Sequence, residues 1–146
     1  MKVENARRLD EQDHRSLVIW AVDCAEHVLP YFEDKYPEDD RPRKALEAGR
    51  AWALGKLATG AARTAAFAAH AAARDATHAA ARAAARSAGH AAATAHVAEH
   101  ARHAAAYAVT AAISPVTRAA ANEERDWQYC SLPEHLRPVV FPPLRH

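Results

Sequence analysis

An all-α fold, a single compact bundle of about five to six helices, is predicted by three features of the sequence. Alanine fills the middle of the chain, glycine occurs only four times, and apolar residues recur at helical rather than strand spacing. Alanine is the best helix former because it loses no side-chain entropy when the helix forms. At 146 residues the chain has the size of one domain that buries a core without disulfides or metals. Residues 1–146 are accordingly read as one α-helical domain, with 138–146 as an extended C-terminal tail.

The first helix is expected to begin at Asp10, whose carboxylate caps the opening amides, and to run through DHRSLVIWAVDCAEHVL to just before Pro30. On a helical wheel Leu17, Val18, Trp20, Ala21, Cys24, Ala25 and Val28 share one broad face, while Ser16, Asp23 and Glu26 lie opposite. PYFEDKYPEDDRP follows as an aromatic turn and acidic loop, with Asp39 and Asp40 placed to cap a second helix that carries Pro42 in its first turn. The inner stripe of that helix is Leu46, Gly49, Ala53 and Leu57, flanked by Trp52. Between Thr59 and Ile113 two or three helices fit, with a break at Asp75–Thr77 capped by Thr77, and Gly89 marking a second break or a close contact. Ser114 and Pro115 open another long helix through VTRAAANEERDWQYC. SLPE at 131–134 repeats the start signal as a capping box, Pro138 stops that short turn, and the tail VVFPPLRH lies non-helical along the bundle through Phe141.

Alanine faces let helix axes approach to ~8 Å. Each buried methyl contributes only about 0.8 kcal/mol, so the core is expected to draw its apolar area from the few large residues, Trp20, Trp52, Phe67, Tyr107 and Trp127.

The balance of charge excludes some function classes. Lys+Arg 19 against Asp+Glu 18 leaves a formal charge of +1, which gives nucleic-acid binding no support, although ten histidines raise the charge below neutral pH. Cys24 and Cys130 lie far apart and outside any CxxC spacing, as expected of free thiols in a reducing cytoplasm, with a bridge between them left open. MKVENARRLDEQDHR lacks the apolar segment of a signal peptide, and Arg63, His70, Arg74, Asp75, Arg82 and Arg86 interrupt the alanine-rich middle. No membrane association and a cytoplasmic location are the expectation.

The pattern with the clearest chemistry is HVAEHARHAAAY, residues 96–107. Spacings of four, three and four residues set His96, His100, His103 and Tyr107 on one helical stripe. HxxxH presents two imidazole nitrogens to one zinc, copper, nickel or iron ion, with His103 as a third ligand and Glu99 as a carboxylate that joins or orients them. The competing reading is packing: a neutral histidine in an alanine seam fills volume and bonds a carboxylate such as Asp23, or a carbonyl of the next helix. HxxxH is far less specific than HExxH, so packing takes precedence. His70 shares a face with Arg63, Phe67 and Arg74 and reads as a polar edge. His90 points away from the stripe unless a helix break brings it in, and His14, His78, His135 and His146 read as surface residues.

Catalytic patterns find little support. Cys24 faces the apolar side while Asp23 turns away from it, so nucleophilic catalysis is not expected. Glu123 and Glu124 diverge on a helix and, with Arg118, Arg125 and Asp126, read as a solvated or interhelical ion-pair face. There is no glycine-rich phosphate loop and no GxSxG elbow, and Arg102 stands where the ExxH of a di-iron bundle needs histidine. The loop YPEDDRP, with Tyr31, Phe32 and Tyr36 beside it, reads as a partner epitope or an ordinary turn.

The strings DHRSLVIWAVDCAEHVLPYFE, PEDDRPRKALEAGRAWALG, AAFAAHAAAR, SAGHAAATAHVAEHA, ERDWQ and LPEHLR, taken in order, resemble a bacterial family of predicted immunity proteins of polymorphic toxin systems, the immunity-protein-five-like domain. The resemblance spans nearly the whole chain and covers His70, His90, His96 and His100, whereas His103 lies outside the matching strings. It implies a small helical protein that binds and neutralises a cognate toxin without catalysis. It assigns no toxin-contacting residue, and with a balanced net charge any electrostatic complementarity is local. The alternative from the residues is a transition-metal-binding bundle or metalloenzyme built on the histidines. A small-molecule pocket lined by Trp20, Trp52 and the histidines, and a homo-oligomer paired through alanine faces, are further readings.

Overall fold

In the computed structural model, which describes residues 9–113 and 118–142, helices α1 (Glu11–Glu33), α2 (Arg41–Ala53), α3 (Thr59–Asp75), α4 (Ala79–Ala93), α5 (His100–Ile113) and α6 (Arg118–Ser131) are followed by a 3-10 turn (Glu134–Leu136) and a single helical turn, α7 (Arg137–Val140). The described residues contain no strand, as expected, and seven α-helices rather than five to six, the seventh being that one turn. None of these helices is long and apolar enough to cross a membrane.

α4 is the axis of the molecule, packed against α1, α2, α3 and α5. Its buried residues are all small: Ala81, Ala83, Ala84, Ala85, Ser87, Ala88, Gly89, Ala91 and Ala92. Helices that meet over methyl groups leave no room for rings between them. Of the five large residues predicted inside, only Trp20 is buried; Trp52, Tyr107 and Trp127 are half-buried and Phe67 is 59% exposed. The bulky core is supplied instead by Leu17, Leu29 and Phe32 of α1, Leu46 of α2, and Leu132 and Leu136 at the C-terminal end.

α1 opens where expected, with the Asp10 carboxylate accepting from the Asp13 amide at 2.7 Å. It does not stop before Pro30. The proline removes one amide but tolerates helical φ, and the helix continues to Glu33, which carries Phe32 into the core. Along its wet side runs an ion-pair belt to α2: Arg43 reaches Glu33 at 2.9 Å and Glu26 at 3.0 Å, and Arg50 reaches Glu26 at 2.6 Å and Asp23 at 3.3 Å. Asp40 holds the N-cap position of α2 without a side-chain bond, while Asp39 accepts from the Arg41 amide at 3.1 Å. Leu46, Gly49 and Ala53 are buried as the stripe predicts; Leu57 lies beyond the helix and is half-buried.

The first break in the alanine-rich region falls at Ala76–His78, and His78 rather than Thr77 occupies the N-cap position of α4, with no side-chain cap. Thr77 is held by Tyr36, whose hydroxyl accepts from the Thr77 amide at 2.8 Å and ties the acidic loop to this turn. Gly89 is a close contact, not a break: a β-carbon there would stand 2.6 Å from the His70 ring. The second break is Thr94–Glu99. The Thr94 hydroxyl donates to the His90 carbonyl at 2.8 Å, and the Thr94 carbonyl accepts from His14 Nε2 at 2.7 Å.

The Ser114–Pro115 start signal lies outside the described residues. SLPE forms no capping box: Ser131 Oγ accepts from Trp20 Nε1 at 3.2 Å and donates to the Gln128 carbonyl at 3.2 Å, and Pro133 precedes the 3-10 turn without a side-chain cap. Pro138 sits in the first turn of α7 rather than ending a helix, so 138–140 are helical, not extended. Phe141 then packs edge-on against Trp20 at 5.9 Å between ring centres.

Candidate functional site

The predicted stripe is cut at its first member. His96 lies in the Thr94–Glu99 turn and is exposed, whereas His100, His103 and Tyr107 follow on α5. The same turn reverses the chain so that α5 packs back along α4, which delivers His90 in place of His96. His90 Nδ1 stands 2.9 Å from His100 Nδ1. Its ring lies 5.2 Å from His103, 5.4 Å from Tyr107 in a stacked arrangement, and 4.8 Å from His70 of α3. Four imidazoles from three helices therefore meet. The break on which His90 joining the stripe depends lies at Thr94–Glu99, with Thr94, able to bond its own helix backbone, as its local signal, while His70, expected at a polar edge, is brought in from α3 by packing that its own helix does not reveal.

Three of these imidazoles, His70, His90 and His100, are pushed toward the neutral form. Burial first, then the charges of His70, His100, His103 and Arg86, push His90 down to about 3. Burial, followed by Arg86, His100 and Arg74, lowers His70, and burial with His103 lowers His100. In the His90–His100 bond one Nδ1 donates and the other accepts, an arrangement that a second proton breaks. His70 Nδ1 is buried with no hydrogen-bond partner, its ring lying over Gly89. Neither carboxylate proposed as a companion takes part: Asp23 pairs with Arg50, and Glu99 is exposed and bonded to Arg102 at 2.7 Å. Among the described residues no three of His, Cys, Asp or Glu stand where they could hold a metal ion.

Other candidates resolve in different ways. Cys24 is fully buried and burial pushes its thiol far above the ordinary value, which leaves it without a usable thiolate; Cys130 is exposed, and both are free thiols. Of the two readings, solvated or interhelical ion-pair face, Glu124 takes the interhelical one. It is buried between α1 and α6, where it accepts from His27 Nδ1 at 2.8 Å and Gln128 Nε2 at 3.1 Å, and Trp127 stacks on His27 at 3.9 Å. A groove of about 430 Å³ is lined by Ile19, Trp20, Asp23, Ala53, Leu54 and Pro133, without Trp52 or the clustered histidines. In the acidic loop Asp39 is engaged bidentately by Arg41, which also reaches Asp75 at 3.0 Å.

The outer face of α3–α4–α5 differs from all of these. Arg63, Phe67, His70 and Arg74 form one stripe along α3, and beyond its first turn α4 reaches solvent only through Arg82, Arg86, His90 and Ala93. Arg63 stacks over the exposed Phe67 at 5.4 Å. Between Thr59 and Ile113 the acids are Asp75 and Glu99, and both are bridged by arginines outside these stripes.

A helical chain of this organisation matches a family model described as "Imm-5 like putative immunity protein" over residues 7–135. The chain belongs to this family. The match takes in α1 to α6 and ends within the 3-10 turn, so the imidazole cluster, the Glu124 clamp and the cationic face all lie within it. No curated protein and no solved structure matches the chain.

Proposed function

We propose that this chain is an immunity protein that neutralises a cognate toxin by binding it, with no chemistry of its own. The observation that carries this reading is the family match across residues 7–135. The structure is compatible with it: the thiol buried on α1 is inert, His70, His90 and His100 are held toward the neutral form by partial burial, and the ion-pair belt and Glu124 clamp serve helix packing. The toxin is a protein partner, and occlusion of its active surface by a rigid helical face is the mechanism.

Co-expression with the toxin encoded beside its gene is the test, and it is expected to restore growth of a host that the toxin alone arrests. His96→Ala and His100→Ala are expected to leave that rescue intact as long as the variants fold, because neither ring performs a chemical step. Failure of rescue against every neighbouring toxin candidate overturns the reading.

A further inference from the structure

We propose that the toxin docks on the outer face of α3–α4–α5 through an acidic surface of its own, with Arg63, Arg74 and Arg86 meeting its carboxylates and Phe67 entering an apolar recess. This rests on the immunity reading and adds to it the location of the interface and the chemistry of the partner.

The argument is one of unpaired charge. On the α1–α2 side each of Arg41, Arg43 and Arg50 is already engaged by carboxylates of the same chain. On the α3–α4–α5 side Arg63, Arg74 and Arg86 form no ion pair among the described residues. Arg74 and Arg86 lie near enough to His70 that their charges act on it, so they flank the same cluster. No carboxylate stands in these stripes to offset them, and His70 and His90, half-buried between them, are held toward the neutral form, so the face carries positive charge that nothing in the stripes screens. Such an arrangement disfavours the free protein slightly and is relieved by an anionic partner. Phe67, 59% exposed under the Arg63 guanidinium, adds the aromatic and arginine pairing that dominates binding energy at protein interfaces. Three guanidiniums beside a protruding ring fit a carboxylate-bearing protein surface better than a phosphate backbone, which calls for a longer basic track.

The experiment uses the full chain and the purified toxin domain encoded beside it, with binding followed by biolayer interferometry at two salt concentrations and folding by circular dichroism. The double variant R63E/R74E, the variant R86E and the variant F67A are compared with E38K, which changes charge on the acidic loop. The expected result is that R63E/R74E weakens binding on the order of a hundredfold, largely through a slower association rate that also loses its salt dependence. F67A weakens it about tenfold through faster dissociation, and all variants melt no lower than the wild type by more than a few degrees. Wild-type binding that survives R63E/R74E and R86E but is lost in E38K overturns the assignment and moves the interface to the acidic loop. Wild-type protein that binds none of the neighbouring toxins overturns the immunity reading and this inference together. Tight binding of a labelled duplex oligonucleotide, abolished by R63E/R74E while toxin binding persists, also overturns it, because the face then serves nucleic acid.

Discussion

Gly49 sits where α2 crosses α1, and a β-carbon built on it stands 2.8 Å from Val22 Cγ2 and 3.9 Å from the backbone of Ala92. Val22 is fully buried and β-branched, so it has no low-energy rotamer to retreat to. Gly49→Ala is therefore expected to destabilise the fold by about 1–3 kcal/mol despite the better helix propensity of alanine. Removing the obstacle in Val22→Ala/Gly49→Ala should return part of that loss, a non-additivity read directly from urea melts. If Gly49→Ala melts like wild type, the close crossing is wrong. The sequence announced this glycine because it stands in the apolar stripe with Leu46 and Ala53, where its missing side chain had to mean close approach. Gly89 was less legible. Its two readings, break or contact, separate only when the partner is known, and that partner is a histidine nineteen positions earlier on another helix.

At the scale of elements, the types were legible and their ends were not. Asp10 marked the start of α1 because a capping carboxylate acts locally, through one bond to Asp13. Pro30 did not mark its end, because the packing of Phe32 outweighs one missing backbone bond. Glu124 shows the same limit in α6. In sequence it is a neighbour of Glu123 on a polar stretch, yet in the fold it is buried and holds α6 to α1 and, through Gln128, to the Ala105 carbonyl of α5 at 2.9 Å. Truncating it leaves Gln128 and His27 short of an acceptor. Glu124→Ala is expected to cost about 1–3 kcal/mol, whereas Glu123→Ala, exposed beside it, should fall within about 0.5 kcal/mol of wild type. Equal losses for the two in denaturant titration would return Glu124 to the solvated face.

Across the whole molecule, the fold class followed from composition, but the assembly of the histidines did not, because it depends on where an alanine-rich chain turns. Alanine makes helices without marking their ends or their partners, and the result is a bundle whose acidic, internally paired flank on α1–α2 faces away in chemistry from the cationic, imidazole-rich α3–α5. That asymmetry gives stability a pH dependence whose sign can be worked out. Above the ordinary imidazole value of 6.5, His90 is neutral whether the chain is folded or not, and it adds nothing to the slope. Between 6.5 and about 3 the unfolded chain takes up a proton that folded His90 refuses, so the unfolded state binds more protons and stability falls as pH falls. His70 and His100, lowered too, act in the same direction; Arg74, Arg86 and His103 add repulsion to any proton that enters, and Glu99 offsets it weakly at His100. The paired carboxylates Glu26 and Asp39, whose folded values are lowered, contribute above their ordinary values of 4.5 and 3.8 and lose that contribution only in stronger acid. The interval from pH 6.5 to 4.5 thus isolates the imidazoles. In thermal melts across that interval the wild-type midpoint should drop steadily, and His90→Gln, which removes the most depressed ring, should show a flatter slope whatever its absolute stability. Parallel slopes for the two proteins would mean that His90 protonates in the folded state as readily as in the unfolded one, and that its half-buried packing between three helices does not shield it from water.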